Sequence, residues 1–145
     1  MQNFSEIVII DTGFIVALFN EKDEHHKLVT NIAEQIDRFQ WYTTSFVVQE
    51  IFWLLTNRIN RCAGLKFFET MQGLLLLTEL PFDWPQKILK ILKQYSSANI
   101  DIADASLVIL ADQLKTGQIA SVDRKDFSIL RWNSGKNSFS NLLYI

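Results

Sequence analysis

Three residue types are scarce in this chain, and each shortage excludes a class of protein. Cys62 is the single cysteine among 145 residues, which excludes an intrachain disulfide and a zinc site built from thiolates. Five glycines and two prolines are too few for a turn-rich all-β fold, and 48% hydrophobic residues are too many for a disordered chain. We therefore expect one ordered domain over residues 1–145, with a buried core.

Long apolar runs are absent as well. Each apolar stretch is too short, or too interrupted by charged residues, to span a bilayer. The segment from Met1 to Glu6 lacks the basic and apolar regions of a signal peptide. We expect a soluble cytoplasmic protein with no membrane partner.

An excess of charge of either sign is also missing. The formal net charge is -2, so the chain as a whole does not attract polyanions. Any binding of nucleic acid must come from a local basic patch or from bound metal ions.

A buried-strand pattern does stand near the start of the chain. Residues 7–10 are an uninterrupted run of branched apolar residues, which suits a parallel strand covered on both faces. Asp11 follows at the carboxyl end, where open α/β sheets bind ligands. Asp11 or Thr12 could instead simply cap the helix that begins near Phe14. Both interpretations stay open at this point.

Apolar runs of strand length alternate with longer stretches of helical periodicity, the pattern of a doubly wound α/β domain. Further strands are predicted at 41–44, 74–80 and 119–122, although the leucines from residue 74 could equally extend the preceding helix. Predicted helices span 14–19, 24–39, 46–57, 63–73, 83–95 and 102–115. Ser45 is the predicted N-cap of the third helix, and Gly117 ends the last. The tail from Ser134 is predicted as a loop and an edge strand.

Acidic residues occupy positions where such a fold would bring them together. Asp11 and Asp123 each follow a predicted strand, so their carboxylates meet at one end of the sheet if the strands are parallel neighbours. Glu50 interrupts the apolar helix FVVQEIFWLL. Asp101 and Asp104 lie three residues apart on one face of a helix start. Asp101 fits an ordinary N-cap, whereas function is the better interpretation of Glu50 and Asp104 within dense apolar sequence.

Converging carboxylates need a cation, because they repel one another and would otherwise raise their own pKa values. Oxygen ligands of this kind suit Mg²⁺ or Mn²⁺, which keep several waters and leave positions open for phosphate. The predicted chemistry is metal-assisted hydrolysis of a phosphodiester bond. We expect Asp11, Asp104 and Asp123 to hold the metal directly or through water. Glu50 would complete the shell or orient the attacking water.

Four segments together resemble the acidic motifs of PIN-domain nucleases, and most of all the VapC toxins of bacterial toxin-antitoxin pairs. They are IVIIDTGFIVALFN, the Glu50 helix, DIADASLVILADQL and IASVDRKDFSILR, in this order over nearly the whole chain. The resemblance implies a three-layer α/β fold with a central parallel sheet of four or five strands wrapped by helices. It also implies Mg²⁺-dependent cleavage of RNA and a small antitoxin that blocks the site. We further expect a homodimer.

Carried onto this sequence, the resemblance assigns Asp11, Glu50 and Asp104 to the acidic triad. Asp123 matches the fourth acid. Two further acids and two hydroxyl residues beside the motifs are possible additional site residues: Asp101, Asp126, Thr12 and Ser121.

The basic residues and histidines near these motifs could bind RNA or metal, or could simply be solvated surface residues. Arg124, Lys125 and Arg131 are the nearest candidates for gripping RNA phosphates, or else they form a solvated basic turn. His25 and His26 are adjacent and diverge by about 100° on a helix, so they cannot form a two-histidine metal face. We interpret both histidines as solvated helix residues.

Aromatic residues are concentrated on two successive helices, at Phe46, Phe52, Trp53, Phe67 and Phe68. One small core would not absorb them all, which predicts an exposed apolar groove of the kind that binds proteins. Equally, they could pack between the two helices.

Other functional classes fit less well. A phosphatase with an aspartyl nucleophile needs a second Asp at the position of Gly13, and a phosphorylated receiver domain needs a Lys where the chain has Asp123. A catalytically inactive PIN-like module that binds RNA or a protein would keep the same residues. A metal-dependent cleavage assay separates that module from a nuclease.

Overall fold

The computed structural model describes residues 6–145. The expectation of no signal peptide concerns residues 1–6, and the first five of these lie outside the described part of the chain. Within the described residues the chain forms seven strands: β1 (Ile7–Ile10), β2 (Gln40–Thr43), β3 (Leu76–Leu77), β4 (Gln118–Ala120), β5 (Arg131–Trp132), β6 (Asn137–Ser138) and β7 (Ser140–Asn141). The same residues form seven α-helices: α1 (Thr12–Phe19), α2 (His26–Gln35), α3 (Ser45–Arg58), α4 (Arg61–Leu74), α5 (Trp84–Gln94), α6 (Ile102–Leu114) and α7 (Arg124–Ile129).

Five of the strands form one parallel sheet in the order β3-β2-β1-β4-β7. The central strand β1 pairs with β2, where Val8 lies opposite Trp41, and with β4, where Ile10 lies opposite Ala120. Val8, Ile9 and Ile10 are fully buried. Since successive strand side chains point to opposite faces, helices must cover both faces of the sheet. The predicted three-layer α/β fold is confirmed, with five parallel strands.

Helix α6 lies within the core. Its residues from Ala105 to Ala111 are all buried, and Leu107 and Leu110 are fully so. A helix that is apolar on every side must be surrounded by protein. α6 is therefore a rigid support for whatever its first turn carries.

The run of leucines from residue 74 is divided between two elements. α4 continues through Leu74, and only Leu76–Leu77 pair with β2. The predicted strand 74–80 is therefore wrong in length, and the alternative that the leucines extend the helix is right for the first of them. A continuous apolar run has no periodicity to mark where a helix ends and a strand begins.

Several helix boundaries differ from those predicted; for example, α1 begins at Thr12 and α4 at Arg61, each two residues early. Thr44 rather than Ser45 caps α3, since its Oγ1 accepts the N–H of Val47 at 3.4 Å. α6 ends in a left-handed Lys115, with φ 56°, rather than at Gly117. Gly117 serves another purpose, because a Cβ there would collide with the Trp132 indole. α2 is shorter than the predicted 24–39.

The C-terminal part holds more structure than predicted. The expected edge strand is present as β7, where Asn141 lies opposite Ile119 of β4. α7 and the antiparallel pair β5-β6 were not predicted, because elements of two to six residues are too short to show a periodicity. Among residues 6–145, no helix is both long and apolar enough to cross a membrane.

Candidate active site

A cavity of about 390 Å³ opens at the carboxyl ends of β1 and β4. Eight carboxylates line it: Asp11, Asp23, Glu24, Glu50, Asp101, Asp104, Asp123 and Asp126. The structure thus brings together all six acids that the sequence singled out. We refer to this site as the acidic cavity.

Asp11 is both a helix cap and a lining residue. It is 5% exposed, and its carboxylate accepts the N–H of Thr12 at 2.7 Å and the hydroxyl of Ser121 at 2.7 Å. Burial raises the pKa of Asp11 to about 6, although the two hydrogen bonds oppose the shift. Asp11 is therefore both the cap of α1 and a site residue, because Oδ1 accepts the N–H of Thr12 while Oδ2 accepts the hydroxyl of Ser121.

Ser121 ties the ends of the two central strands together. Its hydroxyl donates to Asp11 and accepts the backbone N–H of Asp123 at 3.0 Å. The close approach also needs Gly13, since a Cβ there would collide with Val122. Ser121 and Gly13 therefore fix the distance between the first and the fourth acid.

Thr12 contributes a buried hydroxyl without a partner. The residue is 4% exposed and lines the acidic cavity, and among the described residues nothing hydrogen-bonds to its Oγ1. Buried hydroxyls are ordinarily paired with protein or water. The site is thus built to receive a further polar group at this point.

Glu50 reaches the cavity from α3. Burial raises the pKa of this half-buried carboxyl to about 7, and repulsion by Asp101 and Asp11 adds to the shift. A glutamate that titrates near neutrality can exchange a proton at physiological pH.

Asp101 and Asp104 form a capping box at the start of α6. The N–H of Asp104 donates to Asp101 at 2.9 Å, and the N–H of Asp101 donates to Asp104 at 3.2 Å. The simple interpretation of Asp101 as an N-cap is confirmed, yet it also lines the cavity. Burial and the negative charge of Asp11 raise the pKa of Asp104 to about 9.

Asp123 and Asp126 stand at the start of α7. The Asp123 carboxylate accepts the N–H of Asp126 at 2.9 Å. Burial and the hydrogen-bonded neighbour Asp123 raise the pKa of Asp126. This end of the cavity therefore adds further negative charge.

The donor set fits a hard divalent cation bound largely through water. Within residues 6–145, no three Asp, Glu, His or Cys side chains are arranged to hold an ion on their own. Mg²⁺ commonly takes one or two carboxylates and keeps several waters. The raised pKa values of Asp11, Glu50 and Asp104 show that the cavity disfavours uncompensated negative charge, which a cation would relieve.

The interpretation of the two histidines as solvated helix residues is wrong in part, since only His26 belongs to α2 and both side chains are half-buried. His26 is half-buried, with Nδ1 2.7 Å from the carbonyl oxygen of Ala17. His25 precedes α2 and lines the acidic cavity, 3.6 Å from a carboxylate oxygen of Asp23. The short α2 explains both placements, because the two residues stand where the chain turns into the helix.

Sequence reasoning missed Arg58 and Asn99, which also line the acidic cavity. Glu50, Leu54 and Arg58 follow one another at intervals of four residues on α3, so each lies one turn beyond the last along the same side of the helix, and this spacing could have identified Arg58. Asn99 lies in the loop before α6, and no sequence pattern marks it.

The three predicted phosphate-binding residues do not line the acidic cavity. Arg124 lies over the Tyr144 ring, with its Cζ 5.2 Å from the ring centroid. Lys125 is exposed, and Arg131 lines a separate cavity beside α5.

The predicted apolar groove is present beside the acids. Phe67 is fully buried, but Trp53 is 61% exposed and Phe68 55% exposed. Five apolar side chains line a cavity of about 610 Å³ that also touches Glu50 and Asp101: Phe46, Phe52, Trp53, Ile102 and Ala103. We call this surface the apolar groove. The expected exposed groove and the alternative of aromatics packed between the two helices each hold in part, since Phe67 is buried in the core while Trp53 and Phe68 are exposed.

Known proteins share these features. The family model described as PIN domain matches residues 8–132. Ribonuclease VapC26 of Mycobacterium tuberculosis is 31% identical over 126 residues, which cover 86% of this chain and 92% of that protein.

Two solved structures share the fold. VapC20 of Mycobacterium tuberculosis, a Sarcin-Ricin loop cleaving toxin, matches with a TM-score of 0.75 at 16% identity, over 81% of this chain and 91% of that one. VapBC2 from Rickettsia felis, bound to a DNA fragment from their promoter, matches with a TM-score of 0.65 at 13% identity, over 93% and 98%. The family match over most of the chain, and the identity to Ribonuclease VapC26, show that this protein belongs to the PIN-domain family.

Proposed function

We propose that this protein is a Mg²⁺-dependent endoribonuclease and the toxin of a toxin-antitoxin pair. The observation that carries the proposal is the acidic cavity, which is lined by eight carboxylates and by the buried hydroxyl of Thr12, for which residues 6–145 supply no hydrogen-bond partner. Similarity to Ribonuclease VapC26 supports RNA as the substrate. Similarity of fold to VapC20, itself a cleaving toxin, agrees with the biological role.

The residues divide the work between positioning and proton transfer. Bound Mg²⁺ would supply a Lewis acid that activates water and offsets phosphate charge. Asp11, Asp104 and Asp123 would hold it, directly or through water. Ser121 and the Thr12 N–H keep the Asp11 carboxylate in one orientation.

Glu50 and Thr12 complete the mechanism. Glu50, with a pKa of about 7, is suited to orient the attacking water and accept its proton. The free Oγ1 of Thr12 is placed to hold a water or a phosphate oxygen.

Cleavage of single-stranded RNA by the purified protein tests the proposal. We expect cleavage with Mg²⁺ or Mn²⁺, none with EDTA, and none by the Asp11→Asn variant. Asp37→Asn is the matched control, since Asp37 is an exposed acid that lines neither the acidic cavity nor the cavity beside α5. An inactive PIN-fold module would cleave under none of these conditions, and that result would contradict the nuclease proposal.

We propose that the antitoxin binds in the apolar groove. It adjoins Glu50 and Asp101, so a chain bound there would reach the acidic cavity and block it. If a small open reading frame lies upstream, its product should inhibit cleavage. Trp53→Glu should leave cleavage intact and abolish inhibition, whereas Phe82→Glu, at a fully exposed position outside the groove, should change neither. The homodimer stays a prediction, which light scattering tests.

A further inference from the structure

A second cavity, of about 410 Å³, lies between α5 and the segment that follows α7. Its polar and charged walls include side chains from α5, α6 and β5: Lys87, Lys90, Asp112, Arg131 and Trp132. It shares no lining residue with the acidic cavity. We call it the basic cavity.

The basic cavity has an excess of positive charge. Within residues 6–145, Lys90 and Arg131 form no ion pair, and Lys87 has only an exposed contact of 3.9 Å with Asp83. The single carboxylate in the wall, Asp112, already accepts the N–H of Asn133 at 2.6 Å. The basic cavity therefore contains three positive side chains and one carboxylate, and that carboxylate is already hydrogen-bonded.

Arg131 is held in place by the backbone around it. Its Nη1 donates to the carbonyl oxygens of Ser128, Ile129 and Leu130, at 2.8, 3.1 and 3.0 Å. These bonds use one guanidinium nitrogen, and Nε and Nη2 remain as donors for two oxygens of a phosphate. A fixed guanidinium loses little conformational freedom when it binds such a ligand.

Trp132 adds an aromatic wall beside these cations. The ring is partly exposed, and its Nε1 donates to the carbonyl oxygen of Ser138 at 3.2 Å. Close contact with Gly117 fixes it from behind. A tight turn follows, in which Asn133, Ser134 and Gly135 all have positive φ. The ring is thus a rigid surface on which a base can stack.

Helix α6 connects the two cavities. Asp104 lines the acidic cavity and Asp112 the basic one. Eight residues of α-helix at 1.5 Å each place them about 12 Å apart along the helix axis. This distance is roughly three to four nucleotides of a stacked strand at 3.4 Å each.

We infer that the basic cavity binds the RNA strand beside the scissile bond, with backbone phosphates on Lys87, Lys90 and Arg131 and one base stacked on Trp132. Cations alternating with an aromatic wall are the arrangement by which proteins hold single-stranded nucleic acid. A chain of net charge -2 needs such a local patch, since its overall charge gives no attraction to RNA. The inference rests on the proposed endoribonuclease function.

Binding of a labelled single-stranded RNA of about 12 nucleotides, in the Asp11→Asn background, tests the inference. Lys87→Gln with Lys90→Gln should weaken binding about tenfold and lower the salt dependence, d log K/d log [salt], by about 1.4, or 0.7 for each lost phosphate contact. Lys93→Gln removes a charge from the same helix outside the cavity and should cause no change. Unchanged binding in the double variant, or an equal loss in Lys93→Gln, would overturn the inference.

Two further measurements separate the remaining alternatives. Trp132→Leu should weaken binding by about fivefold to a hundredfold, whereas Trp132→Phe, which keeps a ring, should retain most of it. If the cavity took a free nucleotide instead, a mononucleotide would compete for the RNA site at equal affinity, which would contradict strand binding. The wild-type cleavage assay tests the nuclease proposal independently. If the wild type cleaves RNA and the double lysine variant binds RNA as tightly as its parent, the inference about the basic cavity is refuted and the nuclease proposal stands.

Discussion

The two ends of α6 face opposite chemistry. The first turn carries Asp101 and Asp104 into a cavity of eight carboxylates, whereas the far end carries Asp112 into a cavity with three cations. All three carboxylates accept a backbone N–H, so the difference lies in their surroundings. Burial and the negative charge of Asp11 raise the pKa of Asp104, whereas Asp112 lies among cations.

The difference shows why a net charge is a poor guide to partners. The overall value of -2 averages a strongly acidic region and a basic one. An acidic site repels a polyanion until cations neutralise the site. The proposed RNA substrate would therefore be bound mainly by residues outside the acidic cavity. In the proposed nuclease, catalysis and strand binding are therefore separated along one rigid helix.

The largest expected effect contrasts two aspartates on α6. Asp104→Asn should reduce RNA cleavage at least a hundredfold, because it removes a proposed metal ligand. Asp112→Asn should reduce cleavage much less, since the amide oxygen can still accept from Asn133. Single-turnover cleavage rates measure both. Equal losses would show that the two ends of the helix do not differ in function.

A second contrast concerns cation binding. Mg²⁺ at about a hundred times its dissociation constant should raise the free energy of unfolding by about 2.7 kcal/mol. The Asp104→Asn protein should gain less, and the Lys87→Gln protein should gain as much as the wild type. Thermal unfolding with and without Mg²⁺ gives the comparison. An equal gain in the Asp104→Asn protein would show that Asp104 does not help to hold the cation.

The pH dependence of stability should reflect the acidic cavity alone. The folded pKa values of Asp11, Glu50 and Asp104 are raised to about 6, 7 and 9, so the folded state binds more protons than the unfolded chain above about pH 4. Stability without metal should therefore fall as the pH rises from about 4 to about 9. Urea unfolding at several pH values checks this. Asp104→Asn should flatten the curve, and a rising wild-type curve would contradict the assigned pKa directions.

The smallest expected effect lies in one hydrogen bond. Ser121→Ala removes the donor that favours ionised Asp11, so the pKa of Asp11 should rise further above 6. Titration of the Asp11 carboxyl by nuclear magnetic resonance, without metal, measures the shift. Ser128→Ala is the control, since that exposed hydroxyl donates to the carbonyl oxygen of Lys125 and does not line the acidic cavity. No shift, or a downward one, would show that Ser121 does not support the charged form.

Much of the fold and of the acidic cavity could be predicted because both leave local signals. Residues 7–10 show a buried strand, and the acids at Asp11 and Asp123 follow strands whose ends must meet in a parallel sheet. The burial of Glu50 was visible in its apolar surroundings.

The rest depends on tertiary contacts that no local pattern encodes. Asn99 lines the cavity only because its loop packs there, and His25 enters because α2 starts late. The basic cavity joins lysines of α5 to Arg131 about forty residues later, a proximity that arises from packing α5 on α6. Arg131 was predicted as a phosphate ligand, and the structure gives it a different neighbourhood from the other two basic residues.

The ends of the cleavage products test the central claim most directly. If carboxylate-held Mg²⁺ activates water to attack phosphorus, the products carry 5′-phosphate and 3′-hydroxyl ends, and a 2′-deoxy sugar at the scissile position is tolerated apart from losses in binding. A general base such as His25 or His26 acting on the 2′-hydroxyl would need no metal and leave a cyclic phosphate. We predict 5′-phosphate ends and no cleavage in EDTA. Cyclic 2′,3′-phosphate ends, or cleavage that persists in EDTA, would contradict the acidic cavity as the catalytic centre.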